Sequence, residues 1–377
     1  MKNNINLYLI LIIIVALVFS FLTIYAFGNQ ASADVPLRAR SAVLYQPETD
    51  NFLFSKNADI RMPMASTTKI MTALVTLERA KLNDLVVIDE AAVGIEGSSA
   101  YLKAGEVLSV EELLYALLLQ SANDAATAIA YHICDGVDAF ADIMNQKANE
   151  LGLKNTHFTN PHGLDDKEHY TTAKDLAVIT AEAMKNECFR KITSTYKKTF
   201  ATEERTRTYV NHNKMLLKYD GCIGVKTGFT QKSGRCLVTA AERNGLEFIF
   251  VTLDAPSDWN DHTKMLDLGY SKLERLELLK ENEYCYKIPI INGNKDNVTV
   301  ANLSPLSIIR GKDEGHVDKY IKLSRYRVAP IKEGDVLGEI IFTVDGKEIG
   351  RQSLVATESI SAKSSKGLFD RLISLFN

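Results

Sequence analysis

Hydrophobic and polar positions follow a helical period in some stretches of this chain and a strand period in others. Ser41-Ala-Val-Leu-Tyr45 and Phe52-Leu-Phe54 flank Gln46-Pro-Glu-Thr-Asp-Asn51, two apolar runs around a turn-forming segment, which predicts a β-hairpin. Ile70, Leu74 and Leu77 then share one helical face while Met71, Ala73 and Val75 fill most of the others, so this helix belongs in a core. Ser109-Val-Glu-Glu112 is a capping box ahead of Leu113, Leu114, Leu117 and Leu118, an amphipathic helix that runs out at Gln120-Ser-Ala-Asn-Asp124. A second helical run starts at Ala125. Further helices are expected over 137–151, stopped by Gly152, and over 172–185, where Thr172 and Asp175 form a cap. Cys236–Ala241 and Phe248–Leu253 are apolar runs joined through Asn244-Gly245, the strongest short hairpin signal, and Gly221–Thr230 is expected on the neighbouring strand.

From about Leu276 the texture changes. Tyr284–Ile291, Val298–Ala301, Leu306–Ile309, Tyr320–Leu323, Val336–Phe342 and Glu348–Val355 are short strand-like runs, several separated by Gly, Asn or Asp, as in a small all-β domain. The two ends of the chain are separate objects. Lys2, an apolar block from Leu7 to Phe27 and the small triplet Ala31-Ser-Ala33 have the layout of a secretory leader cleaved before Asp34. The block is also long enough to span a bilayer, and on either reading the remainder of the chain is exported. Ser361–Lys366 is a polar linker, and Gly367–Asn377 carries Leu368, Phe369, Leu372, Ile373, Leu375 and Phe376 on one face, an amphipathic helix suited to a membrane interface. The expected division is a signal peptide or membrane anchor over 1–33, an α/β (α+β) domain over 34–275, a β-rich domain over 276–360, and a linker with a membrane-associating helix over 361–377.

Composition narrows the function classes. A chain of 377 residues that is 46% hydrophobic and 24% charged is ordinary globular protein, and a formal net charge of −3 with no basic stripe argues against nucleic acid. Five scattered cysteines (Cys134, Cys188, Cys222, Cys236 and Cys285) do not describe a disulfide scaffold. They read as buried free thiols, with a Cys222–Cys236 bridge left open. His157 and His162 lack a further ligand at zinc-like spacing, so no metal site is expected there.

Three polar clusters interrupt the apolar pattern. Ser66 and Lys69 stand three apart at the mouth of the buried helix, where their Cβ atoms are about 5–6 Å apart on one face. A hydroxyl beside an amine that burial keeps neutral is what a serine nucleophile with a lysine base requires. Ser121 and Asn123 sit at the tip between two helices. Lys226-Thr227-Gly228 places a cation, a hydroxyl and a residue without a side chain on the strand beside the hairpin. Each cluster alone has a structural explanation: an N-cap with a snorkelling lysine, an Asx cap, a solvated edge lysine.

Together, and in this order, Ser-x-x-Lys, Ser-x-Asn and Lys-Thr-Gly resemble the constellation of penicillin-binding proteins and serine β-lactamases. With Asn160-Pro-His162-Gly-Leu164 and Gly224-Val-Lys-Thr-Gly-Phe-Thr230, the resemblance from about Ser41 onward is to the low-molecular-mass, serine-type D-alanyl-D-alanine carboxypeptidases. It implies an antiparallel sheet packed on helices, a transpeptidase-like domain followed by a small β domain. It also implies a nucleophile at Ser66, a general base at Lys69, a proton relay at Ser121 with Asn123 beside it, and substrate binding by Lys226, Thr227 and Gly228. Backbone N–H groups of Ser66 and Phe229 would form the oxyanion hole, and this chemistry would need no metal or organic cofactor. The implied partners are a peptidoglycan stem peptide ending in D-Ala-D-Ala, β-lactam antibiotics and a membrane surface, and the implied location is the outer face of the cell membrane. A secreted β-lactamase and an inactive cell-wall binding protein are the competing readings.

Overall fold

A computed structural model describes residues 36–203 and 205–363. The segments read as a leader and as a terminal amphipathic helix lie outside the described residues. Among those described, no helix is long and apolar enough to cross a membrane. The described chain divides into two compact units, one holding 36–242 and 247–266, the other 243–246 and 267–363.

In the first unit, β1 (Ser41–Gln46) and β2 (Asn51–Lys56) form the expected hairpin, with Leu44 opposite Phe54. Short pairs follow, β3 (Leu85–Val87) with β4 (Val107–Ser109), and β5 (Lys197–Ala201) with β6 (Thr206–Val210). Then come β7 (Cys222–Thr230), β8 (Gly234–Arg243) and β9 (Leu246–Leu253). The main sheet has the order β2-β1-β9-β8-β7. Asn244 and Gly245 both have positive φ, as the two-residue turn between twisted strands requires. Val43, Val238 and Val251 share one core with Ile70, Leu114, Leu117 and Ile129 from the helices.

The helix Lys69–Arg79 is buried on nearly every face, and it draws even its polar side chains inside. Thr72 and Thr76 satisfy their hydroxyls on backbone carbonyls, Thr72 on Pro161 O at 2.6 Å and Thr76 on Thr72 O at 2.6 Å. Ser66 does not lie in that α-helix. It belongs to a 3-10 turn, Ala65–Thr68, that precedes it. Residues three apart eclipse one another in such a turn, so Ser66 and Lys69 still meet. The helix Val110–Leu119 is capped by Ser109 Oγ, which accepts from the Glu112 N–H. The next helix starts at Asn123, two residues before the expected Ala125. Val137–Glu150 and Ala173–Met184 follow, and Thr172 accepts from the Asp175 N–H at the start of the latter.

The β5–β6 hairpin has no counterpart among the elements expected from the sequence. Its strands are mostly Thr, Lys and Arg, with Phe200 and Tyr209 packed on the core, and a buried carboxylate holds it further. Glu112 accepts from Arg205 through Nη1 at 2.6 Å and Nη2 at 2.9 Å, and from the Tyr209 hydroxyl at 3.1 Å. Arg207 donates to Glu106 at 2.9 Å.

The second unit is almost entirely β. Strands β10 (Leu273–Leu279) and β13 (Leu306–Gly311) pair with each other. The other sheet contains β11 (Cys285–Ile291), β12 (Asn297–Ala301), β14 (Val317–Leu323), β15 (Arg327–Val328), β16 (Val336–Val344) and β17 (Lys347–Ala356), in the order β14-β16-β17-β12-β11-β15. Ile288, Val298, Val300, Ile340, Phe342 and Leu354 form its core.

All five cysteines are free. The possible Cys222–Cys236 bridge is ruled out by register: Cys222 pairs with Ala241, while Cys236 pairs with Gly228, so the two thiols stand at separate rungs of one ladder. Cys236 is buried, Cys134, Cys188 and Cys222 are partly covered, and Cys285 is exposed, contrary to its reading as a buried thiol.

Removing the carboxylate in Glu112→Ala leaves Arg205 and Tyr209 without their shared partner. The expected loss is about 3 kcal/mol of stability, read as a lower urea midpoint, with hydrogen exchange accelerated first in 197–210.

Candidate active site

The Ala65–Thr68 turn presents Ser66 at the edge of a cavity of about 390 Å³, whose wall also includes Ser98, Ser121, His212, Thr227, Gly228, Phe229, Arg235, Cys236 and Trp259. The three sequence clusters, far apart along the chain, therefore converge on one cleft of the first unit. Lys69 and Lys226 stand behind its wall, both essentially inaccessible to water.

Lys69 Nζ lies 3.0 Å from Ser66 Oγ, 2.6 Å from Asn123 Oδ1 and 2.5 Å from the His162 carbonyl oxygen. Two of these partners can only accept. A neutral amine has two hydrogens and one lone pair, so the two carbonyls take both hydrogens and leave the lone pair towards the serine hydroxyl. Burial pulls the Lys69 pKa well below the usual lysine range; the charge on Lys226 adds to that, and the Asp124 carboxylate opposes it. Burial likewise brings Lys226 down to about 7. Its Nζ donates to the Thr227 carbonyl at 2.9 Å.

Ser121 sits at the helix–helix tip with φ of +64°, nearly buried. The segment 96–102 holds this tip. Glu96 O accepts from Asn123 Nδ2 at 2.5 Å, and Ser98 O accepts from the Asn123 N–H at 2.7 Å. Asp124 accepts from Ser99 Oγ at 2.6 Å and from the N–H groups of Ala100 and Leu102 at 2.9 and 3.1 Å. Asn123 is thus anchored at both ends of its amide, one end on Lys69 and the other on Glu96.

Strand β7 passes directly alongside the serine turn. A Cβ on Gly228 would lie 3.1 Å from Ser66 N and 3.2 Å from Met64 O, so a side chain at this position would crowd the turn. Across the ladder, Arg235 faces Phe229. Its guanidinium is held by Asp258 Oδ2, at 2.9 Å from Nε and 2.7 Å from Nη2, and lies over the Trp259 ring. Ser98, His212, Arg235, Asp258 and Trp259 belong to no motif in the sequence. Only strand register and tertiary closure bring them to the cleft. His157 Nδ1 donates to the Glu168 carbonyl and His162 Nδ1 accepts from the Leu164 N–H. No group of three or more metal-ligating side chains forms among the described residues.

A serine hydroxyl, a desolvated amine and a Lys-Thr-Gly strand facing them across a cleft are the layout of a serine-type penicillin-binding hydrolase. The comparisons are specific. The family model for D-alanyl-D-alanine carboxypeptidase (peptidase S11) matches residues 28–257, and the model for the C-terminal domain of penicillin-binding protein 5 matches 274–362. D-alanyl-D-alanine carboxypeptidase DacF of Bacillus subtilis is 35% identical over 89% of this chain and 90% of its own. DacA of Escherichia coli K12 is 33% identical over 85% and 83%. Among solved structures, penicillin-binding protein 5 from Haemophilus influenzae superposes with a TM-score of 0.64 at 29% identity, covering 88% of this chain and 100% of that one. The Streptomyces K15 DD-transpeptidase gives 0.60 at 36% identity, covering 63% and 98%. The chain belongs to the D-alanyl-D-alanine carboxypeptidase family.

The low pKa of Lys226 has a consequence for stability. The folded state loses this proton near pH 7, whereas an unfolded lysine keeps it to about 10.4. Between those values the unfolded chain binds more protons, so stability rises with pH. In Lys226→Met that rise is expected to be smaller by at most about 1.4 kcal/mol per pH unit, checked by urea denaturation at pH 7, 8 and 9.

Proposed function

We propose that Ser66 is the nucleophile of a D-alanyl-D-alanine carboxypeptidase, acting on a peptidoglycan stem peptide that ends in D-Ala-D-Ala. The observation that carries this reading is the surroundings of Lys69 Nζ: two carbonyl acceptors and one serine hydroxyl. Ser66 Oγ attacks the carbonyl between the two D-alanines and its proton passes to Lys69. The tetrahedral oxyanion is met by the N–H groups of Ser66 and Phe229, and in other enzymes loss of one such donor costs roughly 2.7–4 kcal/mol of barrier. Ser121 passes a proton to the departing amine as the C–N bond breaks and takes one back from Lys69, releasing D-alanine, leaving an ester on Ser66 and returning Lys69 to its neutral form. Water then attacks the ester, giving up its proton to Lys69, and the serine oxygen is reprotonated as the shortened peptide leaves. Lys226 and Thr227 hold the free carboxylate of the terminal D-alanine, a charge-assisted contact that selects chain ends. A β-lactam offers the same carbonyl and carboxylate and acylates Ser66.

The enzyme works outside the cytoplasm in this reading, exported by the leader over 1–33 and resting on the membrane through 367–377, both outside the described residues. The β-lactamase reading has no observation in its favour that the carboxypeptidase reading lacks.

Ser66→Ala is expected to lower D-alanine release from diacetyl-Lys-D-Ala-D-Ala by roughly 10⁴-fold or more and to abolish covalent labelling by fluorescent penicillin. Retained labelling in that variant would remove Ser66 from the mechanism. In Lys226→Met, Lys69 loses a neighbouring cation that depresses its pKa. The acid limb of the acylation rate is therefore expected at higher pH than in the wild type, measured with a chromogenic β-lactam from pH 4 to 9.

A further inference from the structure

Ala65 has φ of +47°, a left-handed conformation that a non-glycine residue adopts at a cost. Something must hold it there, and two contacts do. Its carbonyl oxygen accepts from Thr68 Oγ1 at 2.8 Å. It also lies so close to Gly163 that a Cβ on that glycine would come within 2.0 Å of the oxygen. Gly163 is in turn fixed by its N–H, which donates to Asn160 Oδ1 at 2.7 Å.

The Thr68 hydroxyl is 2.7 Å from His169 Nε2, and both side chains are buried. On the far side of the ring, the Thr159 N–H donates to His169 Nδ1 at 3.0 Å. The direction of this chain is set at both ends. A backbone N–H can only donate, so Nδ1 accepts and the ring proton sits on Nε2. A backbone carbonyl can only accept, so the Thr68 proton points at Ala65 O. Thr159 N–H, His169, Thr68 and Ala65 O thus form one directed relay that only the fold closes. Burial lowers the His169 pKa to about 4, so the ring keeps this single-proton form at neutral pH.

The carbonyl that the relay grips belongs to the same peptide unit as the N–H of Ser66. That unit is planar, with C=O and N–H pointing in opposite directions. Fixing the oxygen therefore fixes where the hydrogen points, and Ser66 N is the atom beside which β7 passes at Gly228. The same loop supplies His162 O to Lys69 and Pro161 O to Thr72. Those two contacts hold side chains of the helix, whereas the His169–Thr68 contact acts on the peptide plane itself.

We infer that His169 and Thr68 are positioning residues that orient the Ala65–Ser66 peptide, so that the Ser66 N–H is aimed at the oxyanion formed in acylation and again in deacylation. The inference rests on the acyl-enzyme reading given above. It concerns a part of the molecule that touches neither substrate nor the reacting atoms.

The test compares Thr68→Val, which keeps the shape and removes the hydroxyl, with Thr68→Ser, which keeps the hydroxyl. His169→Phe and His169→Gln form a second pair, the glutamine retaining a donor near Nε2. Thr68→Val and His169→Phe are expected to lower kcat for D-alanine release by on the order of 10- to 100-fold, short of the roughly 10²–10³ for deleting a donor outright, with KM changed little. Acylation by benzylpenicillin and hydrolysis of the ester should slow together, and the ester carbonyl stretch of the acyl-enzyme should move to higher frequency as its hydrogen bond weakens. Thr68→Ser and His169→Gln should recover most of both. The infrared band is read only from folded, acylated protein, so a loss of yield cannot imitate it. An unmoved band in Thr68→Val or His169→Phe, or a defect confined to KM, overturns the inference. A wild type that forms no Ser66 ester would instead sink the underlying mechanism, and the two failures are told apart by that control.

Discussion

A lysine nitrogen sealed from water is the constraint on which the first unit depends. Burying an ammonium alone is prohibitive, and burying a neutral amine still requires partners for its hydrogens. Asn123 Oδ1 and His162 O supply them, one from the start of a helix and the other from the loop over 159–169. Each supplier must then be held in turn. The segment 96–102 holds Asn123, while Thr72 and Thr68 tie down the loop from the side of the serine motif. Lys226 arrives from β7 as a second buried amine, and its charge when protonated favours the neutral form of the first. The apolar shell of helices and sheet is what keeps these few polar contacts strong.

Features that depend on neighbours in sequence are legible in the chain itself. The three-residue spacing of Ser66 and Lys69, the cap at Ser109, the Asn244-Gly245 turn and the short strands after Leu276 are local signals, and each corresponds to an element of the fold. The β5–β6 hairpin is illegible because only Phe200 and Tyr209 mark its inward face among Thr, Lys and Arg; Glu112, far off in sequence, adds the polar anchor. Arg235 and His169 are hidden for a related reason. The first reaches the cleft by strand register, the second by a loop closing on the serine turn, and neither has a periodic signature. The Cys222–Cys236 pairing is undecidable from sequence for the same cause, since register alone determines which residues of a ladder stand opposite.

Two non-glycine residues in or beside the polar clusters, Ala65 and Ser121, hold left-handed backbone. The surrounding contacts must over-determine the backbone, as they do around Ala65 with its carbonyl gripped by a hydroxyl and packed on Gly163. The glycine requirement is thereby displaced onto the neighbour, whose missing side chain makes the room.

Cys236 bears on the selectivity of the cleft towards electrophiles. It shares the cavity wall with Ser66, yet burial raises its thiol to about 11, so almost none of it is thiolate at neutral pH. Sulfur is intrinsically the softer and stronger nucleophile of the two atoms. In the proposed mechanism the oxygen has an amine within 3.0 Å to take its proton, and the thiol is left in its unreactive form. On that mechanism, a strained carbonyl compound entering this pocket is sorted by proton affinity and not by the element it meets.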